Sequence, residues 1–152
     1  MKRIFNNRLF VIGLVLKLIL SFFFASTYLS DLFIPFVKIA VHGNFSNIYK
    51  EYLHVNPVAF PYPPVMLYIM ALPSYLVSLI STGSTAVSSL DIFLARIPLL
   101  MADVAITLVL IKWLRNTSNV VKWYWLNPVV IYISYIHGQL DIIPTAFLCL
   151  SL

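Results

Sequence analysis

Residues 9–29 read LFVIGLVLKLILSFFFASTYL, an apolar run interrupted by Lys17, Gly13 and a few hydroxyls. At about 1.5 Å per helical residue, a run of this length covers a hydrocarbon core of about 30 Å. A secretory signal peptide is the competing reading. The stretch is long for a signal core, however, and no small-x-small cleavage site follows it. An anchoring span is therefore expected. Lys17 at its middle must face protein or water, because an ammonium group in lipid is costly.

The composition around this run agrees. Apolar residues make up 61% of the 152-residue chain and charged residues 10%, against roughly 25% charged in a soluble domain. Mean hydropathy is +0.94. One cysteine, Cys149, excludes an internal disulfide framework, and four glycines exclude a collagen-like chain. The net charge of +5 is not spread as a nucleic-acid binder would spread it. Lys2, Arg3 and Arg8 precede the first run, and Lys112, Arg115 and Lys122 sit between two later ones. That is how membrane proteins carry cytoplasmic charge, so the expected partner is the lipid bilayer and not a nucleic acid.

Further apolar segments cover residues 63–80, 93–113, 123–136 and 142–152, the last ending with the chain. If every one crosses, the basic cluster at 112–122 lies outside, against the positive-inside rule. Segment 63–80 removes the conflict. It opens with Pro63-Pro64 and carries Pro73 near its middle, and proline inside a helix removes a backbone bond and bends the axis. Read as a broken helix at the outer interface, it leaves residues 30–92 as one external region containing juxtamembrane helices at about 32–41 and 63–80. Residues 93–113 then cross inward and 123–136 outward, and His137-Gly138-Gln139-Leu140-Asp141 emerges outside. The fold expected is all-α: one transmembrane helical module over residues 1–152, with the N-terminus cytoplasmic. Asn44-Phe45-Ser46 is a glycosylation sequon on the outer side, meaningful in a eukaryote. Phe60-Pro61-Tyr62-Pro63-Pro64 reads as a rigid turn at the membrane surface.

Ionisable groups within such a bundle are functional candidates. Asp31, Arg96, His137 and Asp141 all fall at the outer level. Asp103 follows Arg96 by two helical turns on the same face and reads as a helix–helix hydrogen-bonding residue. A carboxylate at the outer level could deprotonate a hydroxyl, and a nearby cation could stabilise a leaving phosphate. Asp31 could equally cap the helix that follows it. No Walker loop, dinucleotide fingerprint, HExxH pair or CxxC is present, and His42, His54 and His137 are scattered, so no metal site is expected.

Several segments together carry a resemblance: Tyr28-Leu29-Ser30-Asp31, Tyr62-Pro63-Pro64, Arg96-Ile97-Pro98-Leu99-Leu100-Met101-Ala102-Asp103, Leu126-Asn127-Pro128 and His137-Gly138-Gln139-Leu140-Asp141. In this order and spacing the chain resembles the N-terminal part of the GT-C glycosyltransferases. Those are polytopic enzymes that use polyprenyl- or dolichyl-phosphate sugars as donors. Nearest in pattern are the mannosyltransferase of GPI assembly and the dolichyl-phosphate-glucose glucosyltransferases. The resemblance implies a hexosyltransferase that carries mannose or glucose to an external or lumenal acceptor with inversion. Its place would be the bacterial inner membrane, or the endoplasmic reticulum membrane in a eukaryote. Asp31 would match the loop-one general base, and Arg96, His137, Gln139 and Asp141 would lie near the donor. Phe33 stands where the GPI type has a second carboxylate, so a metal-binding pair is not matched and the single-carboxylate type fits better. Family members have ten or so spans. A truncated product, or a separately encoded C-terminal half, is the corresponding expectation. The alternatives are a non-catalytic membrane subunit needing a partner, and a small transporter using Lys17, Arg96 and Asp103.

Overall fold

A computed structural model describes residues 2–43, 47–52, 59–79 and 87–152. Among them every regular element is helical. We label the longer helices α1 (Arg8–Phe23), α2 (Tyr28–His42), α3 (Pro64–Ser78), α4 (Ser89–Leu114), α5 (Pro128–His137) and α6 (Ile142–Ser151). The segments Lys2–Phe5, Ile48–Tyr52, Thr117–Val120 and Val121–Trp125 are short helical pieces. The sequon at 44–46 and His54 lie outside the described residues.

Local chemistry sets the ends of these helices. The Asn7 side chain accepts the backbone N–H groups of Leu9 and Phe10 at 3.0 and 3.3 Å, capping α1. Ser88 and Asp91 form a reciprocal capping box at the start of α4. The helix expected over residues 9–29 instead ends at Phe23. Phe24 is extended, and the chain turns by 61° into α2. The segment expected over 123–136 is also divided. Pro128 lacks an N–H, the Asn127 side chain accepts the N–H of Val129 at 2.8 Å, and α5 starts afresh there. Conversely, α3 runs unbroken through Pro73. Its 15 residues cover about 22 Å, short of a bilayer core. Among the described residues one helix, α4, with 26 residues and mean hydropathy 2.1, is long and apolar enough to span a membrane by itself.

Side-chain contacts fix the register. Lys17 pairs with Asp103 at 2.6 Å, the Phe22 and Phe93 rings lie 6.2 Å apart, and Leu108 and Ile111 pack against the cluster that holds Phe10. Helices α1 and α4 are therefore antiparallel. Trp125 donates to the Phe10 carbonyl at 3.0 Å, and Tyr135 donates to Asp103 at 2.8 Å, so the 121–137 stretch runs parallel to α1. Gly13 permits this approach, since a β-carbon there would sit 2.4 Å from Trp125 Nε1. The outcome is a two-ended molecule. The start of α1, the close of α4 and residues 117–125 share one end. The other holds the starts of α2, α3 and α6 and the close of α5. Phe60, expected at a surface turn, is a core residue instead: it is buried, stacked on Phe36 at 5.2 Å and edge-on to Phe33.

Candidate functional site

At the end opposite the basic cluster, Tyr28, Phe33, Tyr62, His137, Gly138 and Gln139 line a cavity of about 260 Å³. Two widened helical turns build its walls. In the first, at Tyr28–Phe33, the Ile34 N–H reaches back five residues to the Leu29 carbonyl. In the second, at Tyr132–His137, the N–H groups of Gly138 and Gln139 share the Ile133 carbonyl at 2.9 and 3.0 Å. Turns of this kind are rare and concentrate at functional sites. The second closes on Gly138 at φ 87°, where a side chain would strain the backbone. The Ser26 hydroxyl donates to the His137 carbonyl and ties the two walls together.

The third wall comes from the aromatic-proline stretch. Tyr49 donates its hydroxyl to the Tyr62 carbonyl at 3.0 Å, and the Tyr62 ring meets Phe33 edge-on at 5.6 Å. Burial, reinforced by the charge of Asp141, pushes the Tyr62 phenol above its ordinary range, so it stays a protonated donor. His137 stacks on Tyr28 at 5.9 Å, and its buried Nδ1 has no hydrogen-bond partner among the described residues. Flat aromatic faces beside a phenol suit a polyhydroxylated ring, which offers C–H faces and hydroxyl edges.

No family model, curated protein or solved structure matches the chain.

The residues singled out from the sequence are distributed unevenly about this cavity. His137 and Gln139 line it, and Asp141, exposed at the start of α6, adjoins it through Tyr62. Asp31 is exposed on the turn that supplies Tyr28 and Phe33, and it accepts the Ser30 hydroxyl at 2.6 Å. It lies inside the helix and does not cap it, so the capping alternative is not what the structure shows. Arg96 is placed differently from expectation. Its guanidinium is buried in the bundle, donating to the Ser134 carbonyl and, at 3.3 Å, to the Phe24 carbonyl. Those carbonyls are free because α1 has just ended and α5 is widening. The group is thus occupied in holding the two walls from behind and is not presented to the cavity.

Sequence reasoning did not pair Lys17 with a partner. The structure places its ammonium against Asp103 and 3.4 Å over the Trp125 ring, with Tyr135 completing the network. It also did not read Tyr28, Phe33 and Tyr62 as walls, although Tyr28 and Tyr62 belong to segments it marked and Phe33 lies two residues beyond one. Among the described residues no three His, Cys, Asp or Glu side chains come together.

Proposed function

We propose that the chain is an N-terminal module of a polytopic membrane hexosyltransferase whose acceptor and lipid-phosphate sugar meet at this cavity. The observation that supports it most is convergence. Residues from the segments around Asp31, Tyr62 and His137–Asp141, far apart in sequence, gather around one polar cavity at one end of the molecule. The exposed Lys112, Arg115 and Lys122 sit at the other end. With the basic end cytoplasmic, the cavity lies at the outer or lumenal face.

In this reading Asp31 accepts the proton of the acceptor hydroxyl as that oxygen attacks the anomeric carbon. The lipid phosphate departs from the opposite face with the bonding pair, and the anomeric centre inverts. His137, Gln139 and the Tyr62 phenol hold the sugar and phosphate oxygens, while Arg96 positions the walls. Positioned proton transfer contributes about 10²–10⁴-fold in rate. Asp31→Asn, in membranes carrying the chain with whatever C-terminal half completes it, should abolish transfer from polyprenyl-phosphate mannose or glucose at unchanged expression. Near-normal transfer would overturn the assignment and pass the role to Asp141. The commitment of Lys17, Arg96 and Asp103 to packing favours a second reading, a non-catalytic membrane subunit. That reading gains if membranes with the wild-type chain transfer no hexose at all.

A further inference from the structure

Helix α4 stops at Arg115, which adopts φ 52°, the one left-handed non-glycine residue among those described. Glycine is the residue this helix-ending geometry favours, because a β-carbon crowds the backbone there. An arginine at such a position is strained, and strain points to a use for the side chain. Lys112, Arg115 and Lys122 are all exposed. Neither ion pair among the described residues, Lys17–Asp103 or Lys38–Asp91, involves them. No carboxylate occurs in the sequence between Asp103 and Asp141. Two tryptophans accompany these cations: Trp113 is 46% exposed and Trp123 is 78% exposed, whereas Trp125 is fully buried. The exposed Arg8 comes to the same end, because Phe10 stacks on Trp125 at 4.6 Å.

We propose that this end is a binding site for anionic phospholipid. Lys112, Arg115 and Lys122 hold the headgroup phosphodiester, and Trp113 and Trp123 lie at headgroup depth beside it. The proposal rests on the membrane placement above and adds selectivity for lipid charge. A helix end alone accounts for a basic residue in its last turn, but not for Lys122 beyond the turn or for the strained Arg115. Interaction with an anionic surface strengthens by roughly fivefold per basic residue.

The test uses tryptophan fluorescence of the full chain reconstituted in phosphatidylcholine vesicles. Brominated phosphatidylglycerol or brominated phosphatidylcholine is added at equal mole fraction as quencher. The anionic quencher should be the stronger, and salt should erode its advantage. Arg115→Gly suits the left-handed backbone, so its thermal midpoint should match or exceed wild type while the preference falls by roughly fivefold. Adding Lys112→Gln and Lys122→Gln should remove it. Equal quenching by both lipids in wild type, or an undiminished preference in the triple variant, overturns the proposal alone. Absence of quenching by either lipid overturns it together with the membrane placement.

Discussion

Lys17→Met should destabilise the helix bundle severely, and adding Asp103→Asn should restore most of the loss. The two side chains are fully buried with Nζ and Oδ2 2.6 Å apart. At that separation the gross attraction is about 6 kcal/mol for an effective dielectric constant of about 20. Taking each ion out of water costs several kcal/mol, so the intact pair is close to balanced. Removing one partner keeps the other's burial cost and loses the attraction, a penalty of about 3–5 kcal/mol. The double variant removes both. The amide oxygen that Asp103→Asn introduces would still accept the Tyr135 hydroxyl, which donates to Asp103 at 2.8 Å, and methionine would fill the space over Trp125. Its stability should lie within about 1 kcal/mol of wild type, leaving the single losses non-additive by several kcal/mol. Reversible unfolding in mixed micelles, followed by circular dichroism, measures all four corners of the cycle. A double variant no more stable than the worse single variant would refute the reasoning.

Other perturbations probe the remaining contacts. Gly13→Ala gains about 1 kcal/mol in helix propensity but drives a methyl into Trp125 and Leu126. With overpacking of about 1–3 kcal/mol and a lost indole hydrogen bond of about 1 kcal/mol, the net effect should be destabilising, seen as a lower thermal midpoint. Gly138→Ala forces a side chain onto φ 87°, at about 1–2 kcal/mol, with its methyl 3.4 Å from Arg96 Nη2. Transfer activity should therefore fall further than stability does. Cysteines placed at Asn116 and Gln139 in a Cys149→Ser background should label from opposite faces of sealed membranes. Labelling of both from one face would contradict the two-ended arrangement.

What the sequence revealed follows from what hydropathy measures. Length and continuous apolarity made α4 legible, and its capping box at Ser88 merely extended it. The need of Lys17 for an internal partner was equally plain, since no ammonium rests unpaired against lipid. Which partner it takes depends on cross-helix register, which no single helix encodes. The break after Phe23 was invisible because Phe24 and Ala25 are as apolar as the helix before them. The partners of Arg96 were hidden for the same reason: they are backbone carbonyls freed by a break that hydropathy does not mark. Asn127-Pro128 was noticed as a motif, yet its effect on the chain is ordinary helix punctuation, a fresh cap followed by a residue without an N–H. The cavity walls were legible only as neighbours of marked residues, because aromatic side chains in an apolar chain carry no signal of their own.

The early end of α1 has a consequence for the lipid around it. Its 16 residues reach about 24 Å, against a core of about 30 Å, and the stretch beside it is divided at Asn127-Pro128. A bilayer meeting so short a wall thins locally to avoid exposing its chains to water. In the membrane placement proposed above, the dimple would form where α1 and α5 give out, beside His137 and the turn at Ser26. There the aqueous phase would dip toward the cavity floor and the phosphate plane would descend with it. Under the proposed transferase reading, that is where a water-soluble hydroxyl and a membrane-anchored phosphate would come within the same few ångströms, neither leaving its own phase.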